Sequence, residues 1–77
     1  MFFHHHRLVV FVEGMHCKGC AERIENTLTE LTDVLKVRVH LEKKEVIVIY
    51  DNTLDGELIQ KKVEELGYTV TGIKNIR

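Results

Sequence analysis

The chain has two cysteines, and they lie three residues apart in Gly14-Met15-His16-Cys17-Lys18-Gly19-Cys20. An apolar run, Leu8 to Val12, precedes this stretch, and a helical pattern follows it. A thiolate, not a thiol, is the metal ligand and the nucleophile. Cys20 falls in the first turn of the expected helix, where free N–H groups and the helix dipole stabilise negative charge. Lys18, between the cysteines, screens them. Three-residue spacing across a loop-to-helix junction brings two sulfurs within reach of one ion. With bonds near the ~2.3 Å of zinc–thiolate, a two-coordinate ion needs sulfurs ~4.5 Å apart. Soft thiolates select soft ions, Cu(I) among them. Hg(II), Zn(II), Cd(II) and Ag(I) are the alternatives. Two ligands on an open loop leave such an ion accessible to a third thiolate from outside.

Other chemistries are less well served. A structural zinc site needs about four ligands; the chain has two cysteines, and the candidate histidines are His16 and His40. His40 lies on an alternating strand beside Lys36 and Arg38 and should face solvent. His16 is a candidate third ligand, or a loop residue that tunes the site. Met15 offers a thioether but is better placed to turn inward and anchor the loop. A dithiol redox site would also sit at a helix start. Such sites set a proline against the cysteines, and this chain has none. There is no Gly-rich phosphate loop and no nucleophile with an evident base, so no enzyme is expected.

The elements that position the loop follow from periodicity. Leu8 to Glu13 is too short for a helix and rich in Val and Phe, so it reads as a strand. Ala21, Ile24, Leu28 and Leu31 recur at helical spacing over 18–31. Val37, Val39 and Leu41 alternate with Lys36, Arg38 and His40, which predicts a strand with one wet face. Glu42 to Glu45 reads as a hairpin turn, and Val46 to Tyr50 as a continuously apolar strand. Thr53 or Asp55 can cap a second helix running to Leu66, which Gly67 ends. Tyr68 to Thr71 opens a last strand, expected to weaken beyond Gly72.

The order strand, helix, strand, strand, helix, strand predicts an α+β ferredoxin-like βαββαβ fold: a four-stranded antiparallel sheet with two helices on one face. The first and third strands should be central, and the charged second strand should lie at an edge. Helices cover one face, so some of Val9, Phe11, Ile47 and Ile49 must point at the other, either as tolerated apolar surface or as a partner patch.

At 77 residues the chain makes one domain, over 7–77, behind an N-terminal tail at 1–6 whose His4-His5-His6 reads as a tag remnant or a frayed end. The formal net charge of −1 singles out no partner. No continuous basic face suggests nucleic acid. No apolar run approaches the ~20 residues that cross a bilayer, and the start lacks the h-region of a signal peptide. A cytoplasmic setting is therefore expected, where both thiols stay reduced.

With these residues in view, the chain resembles the heavy-metal-associated domain family, which includes copper chaperones, metal-binding domains of copper-transporting P-type ATPases and mercury-binding proteins. Gly14, Met15, Cys17 and Cys20 match its Gly-Met-x-Cys-x-x-Cys hallmark, and Gly67-Tyr68 its Gly-Tyr after the second helix. The resemblance covers about residues 7 to 73. It implies that Cys17 and Cys20 are the metal ligands, that Met15 is a buried anchor, and that Tyr68 stands near the sulfurs. It further implies delivery of Cu(I) by thiolate exchange to the metal-binding domain of a P-type ATPase, as a monomer or through a metal-bridged dimer. His16 stands where many members have Thr or Ser. The loop Leu31-Thr32-Asp33-Val34 lacks their Gly-Val ending.

Overall fold

The computed structural model describes residues 6–51 and 56–76, the last by its backbone alone. Its elements are β1 (His6–Glu13), α1 (Lys18–Thr29), β2 (Val34–His40), β3 (Glu45–Tyr50), α2 (Gly56–Glu65) and β4 (Thr69–Ile76). All strands pair antiparallel in one sheet of order β2-β3-β1-β4. The fold is the expected α+β ferredoxin-like βαββαβ, with the two apolar strands central and the charged β2 at an edge. The expected caps Thr53 and Asp55, and His4 and His5, lie outside the described residues.

Alternation along the central strands divides the sheet. Leu8, Val10 and Val12 of β1 and Val46 and Val48 of β3 are 0–2% exposed and pack with Ile24 and Leu28 of α1 and with Ile59 and Val63 of α2. Each such side chain is worth about 1.5–3 kcal/mol relative to exposure. The intervening residues Val9, Phe11, Ile47 and Ile49 lie outside this core cluster, on the face the helices leave open. All four therefore occupy that open face. At the far end, the Tyr50 hydroxyl donates a hydrogen bond to Asn75 Oδ1 at 3.2 Å, which ties β3 to β4 across β1.

Three boundaries differ from the sequence expectation. The tail expected over 1–6 ends sooner, because His6 already pairs with Tyr50 and stacks on its ring at 5.2 Å. α1 stops at Thr29 instead of 31, because its last turn tightens. The Thr29 hydroxyl bonds the Glu25 carbonyl at 2.6 Å, and the Leu31 amide reaches only three residues back, to Leu28, at 3.1 Å. β4 does not weaken beyond Gly72. It pairs with β1 as far as Arg7↔Ile76, past a bulge at Phe11/Val12. The polar Lys74 and Asn75 hid this strand, but an edge strand needs only one partner and one buried side.

Gly67 closes α2 at φ +100°, with its amide donating to the Glu64 carbonyl at 3.0 Å. A Cβ there would meet nothing within 4 Å, so a substitution is penalised by the backbone alone. Gly67→Ala should lower unfolding stability by about 1–2 kcal/mol. Chemical denaturation is expected to show an earlier midpoint and an unchanged slope.

Candidate metal centre

β1 ends at Glu13 and α1 begins at Lys18, so residues 14–17 must turn the chain between layers. Gly14 does so at φ +100°, a conformation that disfavours a Cβ. A Cβ there would also lie 3.4 Å from Cδ1 of Tyr68. Met15 is 6% exposed and belongs to the core cluster, so the expected anchor residue is pinned from beneath. His16 and Cys17, the next residues, emerge exposed.

Cys17 is the N-cap of α1, in extended backbone at φ −150°, and its carbonyl accepts from the amides of Cys20 at 3.1 Å and Ala21 at 3.2 Å. A Ser, Thr or Asp at this place would bond an N–H of the first turn. Here no side chain caps the helix, and the first turn holds no acidic residue. The positive end of the helix dipole is thus left to the sulfurs.

Both cysteines are free, Cys17 exposed and Cys20 half-buried, with Sγ atoms 3.3 Å apart. That separation is closer than the ~4.5 Å expected for a linear two-sulfur ion. Two bonds of about 2.3 Å to sulfurs 3.3 Å apart would meet at about 90°. The pair must therefore open by about 1 Å to hold an ion linearly, or bind it bent with one side exposed. Among the described residues no group of three His, Cys, Asp or Glu side chains could hold a metal ion. His16 therefore stands outside the sulfur pair as it is arranged here. Lys18 and His40 are exposed, Lys18 between the two cysteines at the start of α1.

Tyr68 is brought to the same place from the other end of the chain. It follows Gly67 at the end of α2, and its half-buried ring packs against the core and beside Gly14. Hydrogen bonding with its hydroxyl, helped by the Cys17 thiol and the His16 backbone N–H, draws the Cys20 thiol down from 9.0 to about 7, against partial desolvation. The same bond raises the Tyr68 hydroxyl above its ordinary value. The His16 contribution comes from its backbone, which no side-chain pattern in the sequence announces.

Residues 9–69 match the heavy-metal-associated domain. The chain belongs to the heavy-metal-associated domain family. Over 63 residues it is 38% identical to the copper chaperone CopZ of Staphylococcus haemolyticus, covering 80% of this chain and 93% of that protein. It is 43% identical over 60 residues to the copper-exporting P-type ATPase of Bacillus subtilis, covering 77% of this chain but 8% of that protein. A solved CopZ metallochaperone superimposes with a TM-score of 0.81 at 30% identity, covering 84% of this chain and 98% of that one. This heavy-metal-associated domain thus spans nearly all of one kind of relative and a small part of the other. No helix among its described residues is long and apolar enough to cross a membrane.

A thiol whose value is lower in the folded state stabilises the fold as thiolate. That contribution is complete above pH 9.0 and is lost as the pH falls through about 7. Tyr68→Phe should move the Cys20 thiol back up toward 9.0. The pH profile of alkylation, followed at Cys20 by mass spectrometry, should shift upward with it. An unmoved profile would show that the hydroxyl does not act on this sulfur.

Proposed function

We propose that this chain binds Cu(I) through Cys17 and Cys20 and passes it, by thiolate exchange, to a metal-binding domain of a copper-transporting P-type ATPase. The observation that carries the reading is a pair of reduced sulfurs 3.3 Å apart at an uncapped helix N-terminus, with no His, Asp or Glu grouped with them as a third ligand among the described residues. Two soft ligands suit Cu(I), whereas zinc would lack about half its usual set. The copper chaperones and the copper ATPase among the relatives support the same choice of ion and of partner.

The two sulfurs are unequal, and that gives the exchange an order. Cys20 is half-buried, is bonded by Tyr68, and ionises near neutral pH. Cys17 is exposed. An incoming partner thiolate meets the ion on the Cys17 side and forms a third metal–sulfur bond. The Cys17 bond then breaks, and a second partner thiolate displaces Cys20. At no point is the ion held by fewer than two sulfurs, so no bare ion forms and the barrier stays low. The buried Met15 keeps the loop's backbone fixed while the bonds change hands. A cytoplasmic setting, where thiols stay reduced, suits this chemistry.

Competition against a Cu(I) chelator under reducing conditions should give one tightly held ion per chain. The Cys17→Ser, Cys20→Ser double variant should bind at least 100-fold more weakly. Retention of affinity by the double variant would defeat the proposal. So would failure of the loaded protein to transfer Cu(I) to an isolated heavy-metal-associated domain of a copper ATPase.

A further inference from the structure

The open face of the sheet carries an arrangement that metal exchange does not use. Strand register sets its side chains in rows. Lys36 of β2 lies beside Ile49 of β3, which lies beside Arg7 of β1. In the next row Arg38, Ile47, Val9 and Lys74 run across all four strands. Toward the metal loop, His40 is followed by Glu45, Phe11 and Gly72. An apolar band on the two central strands is therefore flanked by Lys36 and Arg38 on the β2 edge and by Lys74 on the β4 edge, with Arg7 of β1 at its end away from the metal loop.

Arg7, Lys36, Arg38 and Lys74 face one carboxylate in these rows, Glu45. Glu13, which closes the loop end of the face, is itself paired with Lys44 at 3.3 Å. Among the described residues none of the four cations has an ion pair. The whole chain holds 11 Lys and Arg against 12 Asp and Glu, so this face is basic while the molecule is not. Linear spacing does not announce it, because its members come from three strands and from both ends of the chain. An open depression of about 370 Å³, lined by Arg7, Lys36, Arg38, His40, Ile47 and Ile49, runs along one side of the band.

We propose that this face docks an acidic amphipathic helix of a partner protein. The dimensions agree. Strands lie about 4.8 Å apart, so the edge cations stand about 14 Å from one another across the band. A helix with side chains is about 10 Å wide, and sits between them with its apolar stripe on Ile47, Ile49 and Phe11. Carboxylates on its two flanks then reach Lys36 and Arg38 on one side and Lys74 on the other. From Arg7 to Phe11 the band is about 13 Å long, which matches two to three helical turns. Single-stranded nucleic acid fits less well, because the band offers one aromatic ring for stacking and places Glu45 beside it. A lipid surface fits less well too, because Phe11, Ile47 and Ile49 are half-buried and none projects. The docking rows and the sulfurs share no residue, so a partner held here leaves Cys17 and Cys20 free to exchange.

The probe is a fluorescent synthetic helix of 16 residues, with a leucine stripe flanked by glutamates on both sides. Saturable binding is expected, with amide chemical-shift changes confined to β1, β2, β3 and β4. Lys36→Glu combined with Arg38→Glu should weaken binding at least tenfold while leaving Cu(I) affinity unchanged. Lys61→Glu, on α2, should leave peptide binding unchanged. Circular dichroism confirms that each variant is folded. The proposal is overturned by shifts centred on α1 or α2, or by equal losses in the sheet and helix variants. Absence of binding overturns it, as does tighter binding to a single-stranded oligonucleotide or to phosphatidylglycerol–phosphatidylcholine vesicles than to the peptide.

Discussion

The site depends on how the chain passes from β1 into α1. Strand and helix belong to different layers, and only residues 14–17 separate them. Gly14 turns at φ +100°, and Met15 is driven into the core by the same apolar burial that holds the helices to the sheet. With those two fixed, Cys17 has one way to enter the helix, as its cap, and Cys20 follows one turn later. The 3.3 Å between the sulfurs is thus a consequence of packing beneath them. An apolar thioether under the loop does what a disulfide or a resident ion does in other small proteins, and it leaves both thiols unspent.

Electrostatics then makes that geometry reactive. The helix start has neither a capping side chain nor an acid in its first turn, so nothing competes with the thiolates for its free N–H groups. Tyr68 arrives from the opposite end of the chain because Gly67 stops α2 beside the loop. Its hydroxyl, acting with the neighbouring thiol and a backbone amide, brings Cys20 to about 7. The two sulfurs differ in exposure, and Cys20 is the one that the tyrosine and the amide draw toward the thiolate. Exchange has a natural order when one ligand is loosely held at the surface and the other is retained.

Much of this was legible in the residues. Alternation in Val37-Arg38-Val39-His40 identified a half-wet strand, and the unbroken apolar character of Val46 to Ile49 a central one, in agreement with the strand order that the βαββαβ topology implies. Gly67 marked a helix end that the backbone bears out at φ +100°. The length of β4 escaped notice because Lys74 and Asn75 look like a tail until Leu8 and Val9 are seen opposite them. His6 escaped for the opposite reason, since a run of histidines hides a residue that stacks on Tyr50. The sulfur separation, the His16 amide and the basic face all arise from register and loop geometry, which one-dimensional spacing does not encode.

Metal transfer turns on a two-sulfur site that offers an open side to a third ligand. Copper K-edge X-ray absorption on the Cu(I)-loaded protein, under reducing conditions and without its histidine tail, reads that directly. Two sulfur neighbours and no nitrogen are expected for the protein alone, rising to three sulfurs when a cysteine-bearing partner domain is added. A nitrogen neighbour assignable to His16, or three or more ligands in the isolated monomer, would contradict it.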